Sequence, residues 1–211
     1  MRGTPFVVIE GVDGSGKSTQ VRMLSEVLSA RGVAHRVTEE PGGSPEGVIL
    51  RDLLLGAGGS RLNGAGEMLA VSVARQLHVE GLIRPALARG EAVLCDRFAL
   101  STVAYQGYGR GVSLDLIRRV TAAATGGLEP DICWVLDVPP GVGRGRRSAA
   151  EGSPDRIESE GSEFMERVRR GYLEAAAEHP RIEVVDAVRG AKAVHADLLA
   201  RMDARFPGLG G

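Results

Sequence analysis

The sequence predicts an α/β fold in which a five-stranded parallel sheet is flanked by helices. Short runs rich in β-branched residues alternate with longer amphipathic segments, and this alternation is typical of strand–helix–strand units. A glycine-rich loop follows the first run and precedes a helical pattern. The 211 residues suit one sizeable domain that spans residues 1–211. The candidate strands are residues 5–10, 33–38, 91–96, 131–137 and 181–186.

The helical patterns occupy the segments between these strands. Apolar residues recur at helical spacing after the first strand, and Gly32 is expected to end that helix. A longer pattern runs over residues 64–89, where Pro85 is expected to kink the helix because proline lacks a backbone N–H. Further helices are predicted near residues 45–55, 113–125, 160–178 and 191–204.

Two glycine-rich segments are predicted to be mobile. Residues 107–111 read G-Y-G-R-G and form a connector after a short helix. Residues 141–161 mix Gly, Ser and Pro with charged side chains, as in a solvated loop or in a lid that closes over phosphates and excludes water. We expect a lid at about residues 141–161.

The loop after the first strand carries the most specific motif. Residues 11–18 read G-V-D-G-S-G-K-S and match the phosphate-loop pattern G-x-x-x-x-G-K-[ST]. Lys17 is one of only two lysines among 26 basic residues, and its compact charge on a flexible stem suits phosphate. A dinucleotide-binding loop is excluded because Thr19 stands where its third glycine would be. The residues expected to bind nucleoside triphosphate are Gly11, Gly14, Ser15, Gly16, Lys17, Ser18 and Thr19.

Composition and charge exclude several classes of partner. The formal net charge of −1 predicts no nucleic-acid track and no polybasic membrane anchor. The sequence has no signal-peptide pattern and no apolar stretch of about 20 residues, so we expect a cytoplasmic protein whose partners are small molecules. Cys95 and Cys133 lie in apolar runs and are expected to be buried, reduced thiols. The four histidines show no metal-ligand spacing.

A charged pair ends the third predicted strand. Residues 93–97 read V-L-C-D-R, which places Asp96 at the carboxyl edge where parallel sheets bind ligands. Such a pair is either a structural ion pair or part of a site. Beside a phosphate loop we expect a site, in which Asp96 holds the Mg²⁺ shell and Arg97 faces a second anion.

Taken in order, these motifs identify a resemblance to the thymidylate kinase family over essentially the whole chain. The shared features are the phosphate loop with Asp13, E-P-G-G at 40–43, D-R-x-x-x-S-x-x-A-Y-Q-G at 96–107 and D-R-I-E at 155–158. The resemblance implies the three-layer sandwich of P-loop NTPases, similar to nucleoside monophosphate kinases. It also implies transfer of the ATP γ-phosphoryl group to dTMP, with Mg²⁺, in a homodimer.

The resemblance implies roles for individual residues as well. Asp13 would meet the 3′-hydroxyl end of dTMP, while Arg51 and Arg97 would clamp its phosphate. Arg75 and Ser101 would read thymine. The implied catalytic residues are Lys17, Arg97, Arg146, Arg147 and Asp13. The implied dTMP-binding residues are Asp13, Glu40, Pro41, Arg51, Val71, Arg75, Arg97, Ser101, Tyr105 and Gln106. The implied Mg²⁺ ligands are Ser18 and Asp96.

The chain departs from the family pattern at three places. Glu39 stands where bacterial relatives usually have Arg, and Val71 stands where relatives place a Phe that stacks on thymine. The lid is also less rich in Arg. The alternatives are another P-loop small-molecule kinase, acting on a deoxynucleoside or uridylate, and a nucleotide-binding protein with weakened catalysis. A GTPase switch is excluded because the chain has no N-K-x-D sequence.

Overall fold

Five parallel strands form one sheet, in the order β2-β3-β1-β4-β5, in a computed structural model that describes residues 4–56, 61–149 and 160–209. Each strand lies within two residues of its predicted position, so the predicted α/β sheet is confirmed. The chain passes through a helical crossover between successive strands, as parallel pairing requires. The strands are β1 Phe6–Glu10, β2 His35–Glu39, β3 Ala92–Asp96, β4 Ile132–Asp137 and β5 Ile182–Asp186.

Helices cover both faces of the sheet, and local sequence explains several of their ends. Helix α2 begins after Ser44, whose hydroxyl accepts from the Gly47 N–H at 3.0 Å, and Pro45 occupies its first turn. Helix α6 ends at Gly126 in a left-handed conformation. The helices are α1 Lys17–Ala30, α2 Pro45–Leu55, α3 Gly64–His78, α4 Arg84–Ala88, α5 Ala99–Thr102, α6 Leu114–Thr125, α7 Pro140–Ala149, α8 Ser162–Glu178 and α9 Ala191–Arg205.

The long helical pattern over residues 64–89 is interrupted just before Pro85. Residues Val79–Ile83 form a π-helical turn that joins α3 to α4, and the Arg84 N–H donates to the Val79 carbonyl. Pro85 has no backbone N–H and cannot continue the α-helical hydrogen bonds, and the π-helical turn lies just before it. Gly90, with a φ of 77°, then ends the segment.

The prediction of a mobile connector at residues 107–111 is wrong as far as Gly109. Residues Val103–Gly109 form a second π-helical segment, which is largely buried. A Cβ on Gly107 would lie 2.6 Å from Leu114 Cδ2, and a Cβ on Gly109 would lie 2.7 Å from Phe164 Cε2. These glycines therefore permit close packing rather than movement.

The core lies on both faces of the sheet because successive side chains of each strand point to opposite sides. Val7 and Ile9 of β1 pack in the cluster beneath α1, α8 and α9, whereas Phe6 and Val8 pack beneath the π-helical turn Val79–Ile83 and α4. Cys95 and Cys133 are buried free thiols, as expected, and burial raises the pKa of both well above the usual range. In the described ranges 4–56, 61–149 and 160–209, no helix has the length and apolar character needed to span a bilayer.

The packing at Gly109 makes a prediction about stability. Gly109→Ala should lower the free energy of unfolding by about 1–3 kcal/mol, because its methyl group would press against the buried Phe164 ring. Gly81→Ala is the matched control, since a Cβ there meets nothing within 4 Å and alanine favours helical backbone by up to about 1 kcal/mol. Urea unfolding measures both, and a Gly109→Ala protein as stable as wild type would contradict the packing argument.

Candidate active site

A cleft of about 600 Å³ opens at the carboxyl edge of the sheet. The phosphate loop lines one side, and helices α2 and α3 with the end of β3 line another. Parallel α/β sheets bind ligands at this edge. The predicted site residues that line the cleft are Asp13, Gly14, Ser15, Gly16, Lys17, Ser18, Thr19, Glu40, Pro41, Arg51, Val71, Arg75, Asp96, Arg97, Ser101, Tyr105, Gln106, Arg146 and Arg147.

Glycines shape the phosphate loop. Gly11, Gly14 and Gly16 have φ angles of 136°, 74° and 99°, which side chains other than glycine rarely adopt. Gly11 lies behind the cleft, where a Cβ would overlap the carbonyl oxygen of Leu136. The loop leads into α1, whose first N–H groups have no partner within the helix. These N–H groups and the positive end of the helix suit a phosphate.

Two buried polar side chains in this loop face the cleft. Lys17 Nζ donates to the Val12 carbonyl at 3.0 Å and lies 3.9 Å from Asp13 Oδ1. Burial, together with the nearby Arg97 charge, lowers the pKa of Lys17. Ser15 Oγ is buried and has no hydrogen-bond partner among the described residues. A buried hydroxyl without a partner costs free energy, so a phosphate oxygen would complete this loop.

Ser18 and Asp96 meet as expected for a magnesium site. The Ser18 hydroxyl donates to Asp96 Oδ2 at 2.6 Å, although the two residues are 78 positions apart. Asp96 is the last residue of β3 and is only 9% exposed. Mg²⁺ in such sites takes one or two protein oxygens together with phosphate oxygens and water. One hydroxyl and one carboxylate facing the phosphate loop fit that requirement.

Arg97 crosses the cleft from the end of β3. Its φ is 68°, and no other non-glycine residue in the described segments has a positive φ. Its guanidinium donates to the Gly11 carbonyl at 3.0 Å, to the Tyr105 hydroxyl at 3.2 Å and to the Asp13 carboxylate. Burial alone would raise the pKa of Asp13, but Arg97 and Lys17 lower it to about 2. Asp13 is therefore an ionised partner of Arg97 at neutral pH, and a weak base.

A buried charge network supports Arg75 below the cleft. Arg75 Nε donates to Glu40 Oε2 at 2.8 Å, and Arg75 Nη1 donates to Thr102 Oγ1 at 3.1 Å. His78 Nδ1 lies 2.9 Å from Glu40 Oε1, so this nitrogen carries the hydrogen because a carboxylate only accepts. His78 Nε2 lies 2.7 Å from Thr38 Oγ1. Both oxygens of the Glu40 carboxylate thus hold neighbouring side chains.

The other predicted acceptor-side residues surround this network. Arg51 Nη1 donates to the Pro41 carbonyl at 2.7 Å and to Glu39 Oε2 at 3.2 Å. Val71 is partly buried on α3. Gln106 is buried, and its amide donates at 3.1 Å to a buried glutamate of the same helix, α3. The guanidinium of Arg51 is therefore paired with the carboxylate that replaces the family arginine.

The first part of the predicted lid, residues 141–149, is helical and belongs to α7. Arg146 donates to the carbonyls of Ala187 and Val188 at 2.9 Å each, and Arg147 lines the cleft. Residues 150–159, with the D-R-I-E sequence at 155–158, lie outside the described residues. The lid itself therefore stays a prediction.

Several buried polar side chains next to the site escaped the sequence analysis, Glu10, His78 and Tyr172 among them. Glu10, His78 and Tyr172 are each at most 1% exposed, and each contacts a predicted site residue. The sequence does point to Glu10, because an acidic residue at the end of an apolar strand needs buried hydrogen-bond partners. His78 and Tyr172 lie in amphipathic helices, where the sequence offers no sign of their partners.

Comparisons with known proteins agree with this geometry. A profile of the thymidylate kinase family, described as "Thymidylate kinase", matches residues 9–198. The thymidylate kinase of Pelotomaculum thermopropionicum is 47% identical over 196 residues, which cover 92% of this chain and 90% of that protein. The thymidylate kinase of Deinococcus radiodurans is 44% identical over 201 residues, which cover 95% and 97%.

A solved structure extends the likeness to three dimensions. The crystal structure of thymidylate kinase from Ehrlichia chaffeensis matches with a TM-score of 0.75 and 32% identity, over 95% of this chain and 99% of that chain. The five-stranded parallel sheet between helices is thus the P-loop fold of nucleoside monophosphate kinases. The phosphate loop, the strand order and the extent of these matches lead to one conclusion: the chain belongs to the thymidylate kinase family.

Proposed function

We propose that this protein transfers the γ-phosphoryl group of ATP to dTMP, giving dTDP and ADP. The observation that carries the proposal is a continuous cleft that joins a phosphate loop to the guanidinium groups of Arg51, Arg75 and Arg97. The phosphate loop suits the donor, and the arginines suit an acceptor that already carries a phosphate. The family membership supports dTMP as that acceptor.

On the donor side, the chain supplies positive charge and fixed N–H groups. The loop amides and Lys17 hold the ATP phosphates, and the Ser15 hydroxyl gains the partner that it lacks among the described residues. Ser18 and Asp96 would hold Mg²⁺. When bound, the ion neutralises charge on the transferring phosphoryl group. Arg146 and Arg147 of α7, which line the same cleft, add positive charge.

On the acceptor side, alignment replaces base catalysis. The phosphate of a nucleoside monophosphate, with a second pKa of about 6, is largely a dianion at neutral pH and needs no proton removed. Asp13, whose pKa is about 2, is too weak a base for that purpose. It instead fixes Arg97 and meets the sugar 3′-hydroxyl. Arg97 and Arg51 align the acceptor phosphate, while Arg75, Ser101, Tyr105 and Gln106 line the nucleoside pocket.

The function is tested by ADP release with dTMP, dUMP, UMP, dCMP and thymidine as acceptors. We expect dTMP to give the highest kcat/KM. Lys17→Ala should lower kcat by roughly 100-fold or more, because a cation at the transferring phosphate is lost. Lys192→Ala, at the other lysine of the chain, is exposed on α9 and is the matched control. A folded Lys17→Ala protein with near-normal kcat, or a preference for thymidine, would refute the proposal.

The Glu39–Arg51 contact makes a prediction about acceptor affinity. The Glu39 carboxylate accepts a hydrogen bond from the Arg51 guanidinium, which we assign to the dTMP phosphate. Because the carboxylate competes with that phosphate, Glu39→Gln should lower the KM for dTMP. The expected change is roughly 2- to 5-fold, since both side chains are over one third exposed and such pairs are worth up to about 1 kcal/mol. The change should shrink in high salt.

The control for this prediction is Glu46→Gln, which removes the same charge from an exposed position at the start of α2. Steady-state kinetics with dTMP and ATP compare the two variants with wild type. An unchanged or raised KM for dTMP in Glu39→Gln would show that Glu39 does not compete for Arg51. An equal change in Glu46→Gln would assign the effect to net charge alone.

We further propose that the protein forms a homodimer through the outer faces of α2 and α3. These two packed helices carry five large apolar side chains that are 43–69% exposed, namely Val48, Ile49, Leu53, Leu69 and Val73. A patch of exposed apolar side chains complements a second copy of itself, as a two-fold dimer requires. The resemblance to the thymidylate kinase family, as noted above, likewise implies a homodimer.

The homodimer is tested by light scattering after size-exclusion chromatography. Leu69→Lys, on α3, should convert the dimer to a monomer because it would bury a charge at the interface. Val184→Lys, on the edge strand β5, exchanges a similarly exposed apolar side chain outside the patch and should leave the dimer intact. A wild-type protein that is monomeric at micromolar concentration would exclude this assembly.

A further inference from the structure

Glu10 is a buried carboxylate for which phosphoryl transfer has no direct use. It is the last residue of β1, is 0% exposed and is not among the residues that line the cleft. Burying a carboxylate is costly unless hydrogen bonds satisfy its oxygens. Glu10 accepts four, and every donor lies beside Arg97 in the chain or contacts it.

One oxygen of Glu10 organises the backbone that follows Arg97. Oε1 accepts from the N–H of Phe98 at 2.7 Å and from the N–H of Ser101 at 3.1 Å. These amides lie at the start of the short helix α5, which receives no cap from its own N-terminal residue. Glu10, at the end of β1, therefore caps α5, which begins shortly after the left-handed residue Arg97 at the end of β3.

The other oxygen of Glu10 reaches the Arg97 guanidinium through two hydroxyl groups. Oε2 accepts from Ser101 Oγ at 2.6 Å and from the Tyr172 hydroxyl at 3.0 Å. Both hydroxyl oxygens accept in turn from Arg97 Nη1, at 3.2 and 3.1 Å. Burial raises the pKa of the Tyr172 phenol well above its usual range, so this hydroxyl keeps the hydrogen that it donates.

We infer that Glu10 is a positioning residue for Arg97 and acts through the hydroxyl groups of Ser101 and Tyr172. The carboxylate draws both hydroxyl hydrogens toward itself, which leaves oxygen lone pairs facing Arg97 Nη1. This layer fixes one edge of the guanidinium, and Asp13 and Tyr105 fix the other edge. The inference rests on the proposed function, because its kinetic consequence is an Arg97 preorganised for the acceptor phosphate.

Two variants separate this role from simple support of the fold. Glu10→Gln keeps the size of the side chain and an oxygen for the two backbone amides, but its NH₂ group opposes the hydroxyl hydrogens. Tyr172→Phe keeps the buried ring and removes one hydroxyl. The control is Asp137→Asn at the end of the neighbouring strand β4, where the carboxylate binds Arg169 at 2.7 and 2.8 Å, outside the cleft.

Steady-state kinetics with dTMP and ATP give the decisive readout. Glu10→Gln and Tyr172→Phe should each raise the KM for dTMP roughly 5- to 10-fold, as expected when a hydrogen-bond network to a charged group is weakened. The KM for ATP should stay within about twofold, and Asp137→Asn should match wild type in both. Equal rises in the two KM values, or a lower melting temperature with unchanged KM for dTMP, would reduce Glu10 to a structural residue.

A crystal structure of Glu10→Gln without substrates tests the inference independently of the acceptor. We expect Arg97 Nη1 to lose at least one of its two hydroxyl partners. An Arg97 side chain with all its wild-type contacts would overturn the positioning role, whatever the substrate. A wild-type protein that does not release ADP with dTMP would instead overturn the proposed function, and the geometry of Arg97 in the variant would still decide the inference.

Discussion

The parallel pairing of β1 with β3 is the constraint on which the site depends. Their register places Ile9 opposite Asp96, so both strands deliver the chain to the same edge of the sheet. The Arg97 N–H continues this ladder by donating to the Ile9 carbonyl at 2.9 Å. Where the ladder ends, the two strands and the segments that follow them supply partners for each other: Gly11 accepts from Arg97, and Asp96 accepts from Ser18 of α1. A slip in register would separate both pairs.

The charges gathered at this edge balance one another before any substrate binds. Lys17 and Arg97 are buried cations, and the carboxylates of Asp13 and Glu10 raise the pKa of both against the lowering that burial causes. An unpaired buried charge would be strongly destabilising, so the two carboxylates permit two cations to stand in the cleft. Because the surroundings are poor in water, these cations act on phosphate more strongly than exposed ones would. The fold therefore holds these charges in place in advance, so that phosphoryl transfer needs no rearrangement of them.

The sequence predicts those parts of the molecule that local patterns determine. The strands are apolar runs of the right length, and the phosphate loop is a contiguous motif, so each was located closely. The π-helical segment at Val103–Gly109 differs from the predicted mobile connector because Leu114 and Phe164 leave no room for a Cβ on Gly107 or Gly109. The contacts of Glu10 join positions 88 to 162 residues apart, and no local pattern carries such information. Tertiary packing, rather than propensity, decided these features.

Tertiary packing also explains a glycine in α7. The glycines at positions 141, 143 and 145 belong to the segment predicted as a lid, but Gly143 packs against the phosphate loop. A Cβ on Gly14 would overlap the Gly143 carbonyl, and a Cβ on Gly143 would overlap the Asp13 carbonyl. Only glycine at both positions allows the helix and the loop to approach so closely. Arg146 and Arg147 follow Gly143 within about one helical turn. The contact between Gly143 and the phosphate loop therefore also fixes where these two arginines lie.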